Sequence, residues 1–190
     1  MDIPAQLKHM TAEELSQLPT GMGVRYELIE GELIEMSPTG TRHGEVATNI
    51  ITLLGLFVKR NKTGKVLSSE TGFQISSNPD TVRAPDVAFI PSERIPDEGL
   101  PAGFCPIIPA LIVEVISPSE TATMVQSKTQ MWLDFGVSQV WNVDPELRQV
   151  QVFEPQENGG KYKIYREDAV LTGGDILPGF ELPIREIFPE

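Results

Sequence analysis

The run Leu111-Ile112-Val113-Glu114-Val115-Ile116 is apolar at every position but one. A run this short and this rich in β-branched residues reads as a strand. Alternation sends Ile112, Glu114 and Ile116 to one face and Leu111, Val113 and Val115 to the other. Both faces are apolar, so the strand is expected at the centre of a sheet, covered on each side. A carboxylate there is costly unless it finds a cation, a donor or water. Glu114 either meets such a partner or escapes to solvent at the strand's end.

Directly downstream, Ser117-Pro118-Ser119-Glu120 has the form of a capping box with Pro in the first turn. It predicts a helix from there to Phe135, closed by Gly136. On that helix Lys128 shares a stripe with Met124, Met131 and Phe135, flanked by Val125 and Trp132, where a hydrophobe is expected. Because the helix follows the Glu114 strand, its inner face is expected to bring the ammonium toward the carboxylate. A lysine snorkelling at the border of the stripe is the alternative. Upstream, Asp86 follows Pro85 and opens a second apolar strand, Asp86–Ile90, although Pro-Asp is also a common turn pair.

Farther out, Thr11 and Glu14 form a capping box for a short first helix. Val24–Ile29 and Glu32–Met36 flank Glu30-Gly31 as a hairpin, which ends at the loop Ser37-Pro38-Thr39-Gly40. Val46, Ile50, Leu53, Leu54 and Phe57 have helical spacing from about His43 to Arg60. Strands are expected at Lys65–Ser69, Gly72–Ser76, Gln139–Val143, Gln149–Glu154 and Lys161–Tyr165, with turns at Asn78-Pro79-Asp80 and Asn158-Gly159-Gly160. The Pro- and Gly-rich stretch 91–109 reads as an irregular loop. This order predicts an α/β (α+β) chain with a mixed sheet, not a doubly wound one.

Length and composition narrow the class. The 190 residues suit a single domain over 1–190, with a short helical extension at about 1–20. One cysteine excludes an internal disulfide, and one Cys with two His excludes an all-Cys/His zinc site. The longest apolar stretch, Ile50 to Val58, is too short to span a bilayer, and the start MDIPAQLKHM has no secretory core. No membrane role and a cytoplasmic location are therefore expected. Phosphate-loop, nucleophile-elbow, HExxH and CxxC motifs are absent, and Gly21-Met22-Gly23 lacks the third glycine of a dinucleotide fingerprint. A net charge of −12 disfavours coating of nucleic acid, so any such role needs a local positive or metal-loaded groove. Lys59, Arg60, Lys62 and Lys65 read as a solvated helix end, where cations complement the dipole, before they read as a phosphate track.

Two carboxylates on two strands and a lysine on the next helix are the equipment of metal-assisted phosphodiester hydrolysis. A hard cation such as Mg²⁺ takes one or two carboxylates, completing its shell with water and phosphate oxygens. A nearby lysine offsets charge at the phosphorus. At these residues the chain resembles the Uma-type family of the PD-(D/E)XK superfamily. The resemblance is carried by Arg83-x-Pro85-Asp86-Val87-Ala88-Phe89, by Val113-Glu114-Val115-Ile116-Ser117-Pro118-Ser119, and by Lys128 with Gly136-Val137 and Trp141. Tyr26-Glu27-Leu28-Ile29-Glu30-Gly31-Glu32-Leu33, Ser37-Pro38 and His43 match its opening pattern.

The resemblance implies a restriction-endonuclease-like core with a mixed β-sheet flanked by helices. It also implies Asp86 and Glu114 as ligands of Mg²⁺ (or Mn²⁺), Lys128 as the basic catalytic residue, and DNA as the substrate. The superfamily's lysine normally stands two residues after the acid, where this chain has Ile116; similar families move it to the next helix, as here. Trp132 stands where the family usually has Tyr. The family pattern also holds a His at His43, a candidate catalytic residue, although an imidazole there serves a backbone group equally well. Glu32 and Glu45 are further candidate carboxylates. A homodimer is expected of an enzyme that cuts both strands. The competing readings are a non-catalytic interaction or regulatory protein that keeps the fold, and a hydrolase of a smaller phosphoester.

Overall fold

The Glu114 strand does lie between two covered faces. The computed structural model describes residues 9–18, 24–156 and 161–189. The sequence readings at 1–8, at Gly21–Gly23 and at Asn158–Gly160 lie outside the described residues. A six-stranded sheet carries the strands in the order β10-β9-β8-β7-β6-β3. These are β3 (Gly64–Ser68), β6 (Val87–Pro91), β7 (Leu111–Val115), β8 (Gln139–Asp144), β9 (Gln149–Glu154) and β10 (Lys161–Arg166). All neighbours are antiparallel except β7 and β8, which are parallel and joined through α3 (Ala122–Asp134). A parallel pair needs such a crossover.

Helix α2 (Thr41–Asn61) covers one face of this sheet. Val46, Ile50, Leu54 and Val58 recur every fourth residue and pack with Val87, Phe89, Leu111, Val113 and Trp141. Leu53 and Phe57, expected on the stripe, are only partly buried. Leu54 is fully buried, so Leu54→Ala removes packing atoms from a site that α2 and the sheet hold open. The expected loss is about 2–5 kcal/mol, read as a lower urea midpoint at unchanged slope.

Helix α3 covers the other face, where Trp132 and Val137 meet Ala88, Ile90, Ile112 and Val140. It begins at Ala122, later than expected. Glu120 N–H donates to the Ser117 carbonyl at 2.9 Å, and the Glu120 carboxylate accepts the Ser117 N–H at 2.9 Å. That closed turn occupies the predicted capping box, and Thr121 caps the helix in its place. Met124 faces outward, 54% exposed, while Val125, Lys128, Thr129 and Trp132 lie on the inner side.

A second sheet runs β2-β1-β5-β4, from β1 (Arg25–Ile29), β2 (Glu32–Met36), β4 (Phe73–Ser76) and β5 (Thr81–Arg83). Positive φ at Glu30 (50°) and Gly31 (81°) matches the mirror-image turn that fits strand twist. Helix α1 (Ala12–Ser16), closed by the Thr11–Glu14 capping box, packs Ala12 and Leu15 against Leu28 and Val82. Strand β5 and the hairpin β11 (Val170–Gly173) with β12 (Leu177–Pro183) were not expected. Among the described residues no helix is long and apolar enough to cross a membrane.

Candidate active site

Asp86 and Glu114 stand at the same end of two paired central strands. The register sets Val87 opposite Val113, so the next pair along is Asp86 and Glu114. They lie at strand ends in the middle of the sheet, not at its edge. Asp86 ends the β6 ladder in a specific way: its Oδ2 accepts the Val115 N–H at 2.7 Å, doing the work of a strand carbonyl. The same oxygen lies 3.2 Å from His43 Nε2, in the first turns of α2.

Glu114 is 8% exposed. Its Oε1 accepts the Trp132 indole N–H at 2.7 Å, and its Oε2 lies 3.5 Å from Lys128 Nζ. Lys128 Nζ also donates to Glu120 Oε1 at 3.0 Å. The ammonium therefore points inward, bridging two carboxylates. Two further charges come from the second sheet and the segment leading into β6. Glu27 on β1 accepts the Ala84 N–H at 2.9 Å, and its other oxygen lies 2.9 Å from Arg83 Nε.

Burial pushes the Glu114 carboxyl up to about 7, with Asp86 and Glu27 adding to the shift while Lys128 and the Trp132 N–H oppose it. Burial alone would lower Lys128, but the Glu114 and Glu120 carboxylates outweigh it and hold the ammonium above its ordinary value. His43 follows the same logic: burial opposes, and the Asp86 hydrogen bond and charge raise it. The carboxylates Glu27, Asp86, Glu114 and Glu120 thus surround two permanent cations, Arg83 and Lys128, and one titratable imidazole. The cluster is short of positive charge.

Among the described residues no three His, Cys, Asp or Glu side chains are arranged to hold a metal ion unaided. The donor set still fits Mg²⁺ or Mn²⁺. Two carboxylates are what such an ion usually takes from a protein, and water and substrate phosphate supply the remainder. Asp86 Oδ1 accepts no hydrogen bond among the described residues, and Glu114 Oε2 has only the Lys128 ammonium, at 3.5 Å, as its partner there.

A sequence model of the Uma2 family, described as "Putative restriction endonuclease", matches residues 12–185. The chain belongs to the Uma2 family. That membership supports a nuclease. Among solved structures, a protein of Anabaena variabilis described as a "putative nuclease belonging to DUF820" shares the fold. Its TM-score is 0.78 at 22% identity, covering 94% of this chain and 97% of that one. A search of curated proteins found no match.

Within this Uma2 chain, the structure brings together Asp86, Glu114, Lys128 and His43, all singled out from sequence. Glu32 and Glu45 make no ion pair with them among the described residues. Both are exposed, Glu32 on β2 and Glu45 on the outer side of α2. The carboxylate that the second sheet contributes is Glu27, one strand over. It was legible by the same signal as Glu114, an acid inside an apolar strand, but was read only as part of a motif. Glu120 was read as a helix cap and instead reaches Lys128. The basic cluster from Lys59 to Lys65 lies at the far end of α2, about 25 Å from His43 at ~1.5 Å per residue, too remote to contact the reacting group.

Trp132 positions Glu114. Trp132→Phe keeps an aromatic ring under α3 and removes the hydrogen bond to Oε1. Where Glu114 serves as a metal ligand, Mn²⁺ affinity and cleavage are each expected to fall about 10–100-fold, the usual result of losing a ligand's supporting hydrogen bond. Trp132→Tyr should recover part of the loss. A variant less stable yet unchanged in Mn²⁺ titration would leave Trp132 a packing residue alone.

Proposed function

We propose that the protein is a Mg²⁺- or Mn²⁺-dependent DNA endonuclease. The observation that carries the reading is the register of Asp86 and Glu114 on adjacent strands, with an inward-pointing ammonium 3.5 Å from one of them. Asp86 and Glu114 would hold the ion. When bound, such an ion stabilises charge on a phosphoryl oxygen and makes water a better nucleophile at neutral pH.

The protein's own residues account for the rest. Water adds to phosphorus as it gives up a proton to a base, the bond to one ester oxygen breaks, and that oxygen leaves as a hydroxyl after taking a proton from solvent. Lys128 is held charged by Glu114 and Glu120, so it stabilises the negative charge that develops on the phosphoryl group. Glu120 keeps the ammonium from collapsing onto Glu114 alone. His43, hydrogen-bonded to Asp86, fixes the orientation of that carboxylate, and in its neutral form it would take a proton from the attacking water. The short strand end at Val115, tied to Asp86, holds the pair at one spacing.

The test is nicking of supercoiled plasmid by purified protein. Cleavage is expected with Mg²⁺ or Mn²⁺, none in chelator, and a steep decline with added salt as phosphate contacts are screened. Undiminished cleavage in chelator would overturn the mechanism. Bound Mn²⁺ with no cleavage of any nucleic acid would favour a smaller phosphoester as substrate.

A further inference from the structure

A cleft of about 970 Å³ opens between the second sheet and the segment 100–105. Its lining includes Tyr26, Phe104, Leu100, Arg25 and Arg83. One end meets the acidic cluster, because Arg83 and Ala84 line the cleft and lead within two residues to Asp86. Thr39, just ahead of the helix that carries His43, lies on the same wall.

Arg83 is the unusual group in it. The side chain is only 12% exposed. Its Nε sits 2.9 Å from Glu27 Oε2, yet the N–H is poorly aligned and has no other partner among the described residues. Its terminal nitrogens donate to no protein acceptor among the described residues either. Nε is the side-chain nitrogen buried without a hydrogen bond, so the terminal nitrogens keep contact with solvent, where their planar fork can meet the oxygens of a phosphate. At the mouth, Arg25 is 3.8 Å from Glu70, whose side chain is 79% exposed. A pair that loose is worth little and gives way readily to a stronger anion.

We propose that this cleft binds the nucleotides flanking the scissile phosphate as an unpaired strand, with Arg83 on the neighbouring phosphate and Tyr26 and Phe104 as stacking surfaces for bases. The inference rests on the nuclease reading for the place of the scissile phosphate. Its size lies within the ~300–1,000 Å³ of pockets that enclose small ligands, which suits a nucleotide or two and not the flank of a duplex. With a net charge of −12 the chain lacks the broad cationic face that non-specific duplex binding uses. The two arginines, each paired with one carboxylate, stand between aromatic walls where the phosphates of a single strand can compete for them.

The experiment is fluorescence anisotropy with a short labelled oligothymidylate and a duplex of the same length, in chelator and again with Mg²⁺. The single strand is expected to bind on the order of tenfold more tightly in at least one of the two buffers. Arg83→Gln should weaken single-strand binding and lower the salt slope by about one phosphate contact. Arg83→Gln also disturbs Glu27, so a second variant is needed. Ala102→Trp adds bulk to an exposed wall of the cleft, away from Glu27 and Asp86, and should weaken the same binding with folding intact. Equal affinity for duplex and single strand, binding of neither, or single-strand binding untouched by Ala102→Trp would overturn the proposal. Cleavage with unaltered binding in both variants would overturn the cleft and leave the nuclease. Cleft-dependent binding without any metal-dependent cleavage would overturn the nuclease and leave the cleft.

Discussion

In Lys128→Met protein, DNA cleavage is expected to slow on the order of 10²–10³-fold while Mn²⁺ still binds. The geometry sets both halves of that result. Lys128 Nζ reaches Glu114 and Glu120 and makes no other salt bridge among the described residues. Methionine keeps the length and the apolar stem beside Trp132 and removes the charge at the tip. Asp86 and Glu114 remain in place, held by the Val115 N–H and the Trp132 N–H. Glu114 would then meet an ion without an ammonium competing for its charge, so metal affinity is expected to hold or rise. Stability moves under two opposing effects: a partly buried charge is replaced by a hydrophobe, and two carboxylates lose their partner. Protonation of Glu114, whose carboxyl already sits up at about 7, limits the second effect in metal-free protein. Single-turnover cleavage at saturating metal separates the chemical step from binding. Full activity in Lys128→Met would remove the lysine from the mechanism.

That the sequence exposed Lys128 and Glu114 at all follows from how each breaks a pattern. A carboxylate in an apolar strand and a lysine on an apolar helical stripe are local contradictions, and such contradictions gather at functional sites. Asp86 was weaker by itself, since Pro85-Asp86 also makes an ordinary turn. The register that sets it beside Glu114 is non-local. Strands β6 to β9 and helix α2 were legible because their apolar periods are strong and their ends carry turn chemistry. The start of α3 was not. Ser117, Pro118 and Glu120 satisfy the capping pattern, yet Glu120 folds back on Ser117 and reaches Lys128, a contact that only tertiary structure can create. Strand β5 escaped because Thr81–Arg83 is too short to carry a period and owes its shape to Leu28↔Val82 pairing with β1. Glu27 breaks an apolar strand as Glu114 does, but its partners come from β1 meeting the segment ahead of β6, a packing of two sheets that no spacing along the chain records.

The two acids are expected to separate cleanly from Lys128 when removed one at a time. Asp86→Asn and Glu114→Gln should each abolish cleavage and weaken Mn²⁺ binding by more than the ~10–100-fold typical of losing a ligand's supporting hydrogen bond. Both substitutions keep shape and an acceptor oxygen. The asparagine can still take the Val115 N–H, and the glutamine can still take the Trp132 N–H, so the fold is expected to persist in both. Stability then distinguishes a metal ligand from a structural ion pair. In Glu114→Gln the costly buried charge disappears, while Lys128 keeps Glu120 at 3.0 Å as its partner. Chelator-treated Glu114→Gln protein is therefore expected to match or exceed the wild type in urea midpoint, even as its Mn²⁺ heat collapses. If Glu114 served only to anchor Lys128, the opposite pair of results would appear: a lower midpoint and an unchanged titration. Asp86→Asn should be the less stable of the two, because a neutral amide holds the Val115 N–H more weakly than a carboxylate and loses the attraction to His43. Unchanged Mn²⁺ heat in both variants would take the metal away from this site.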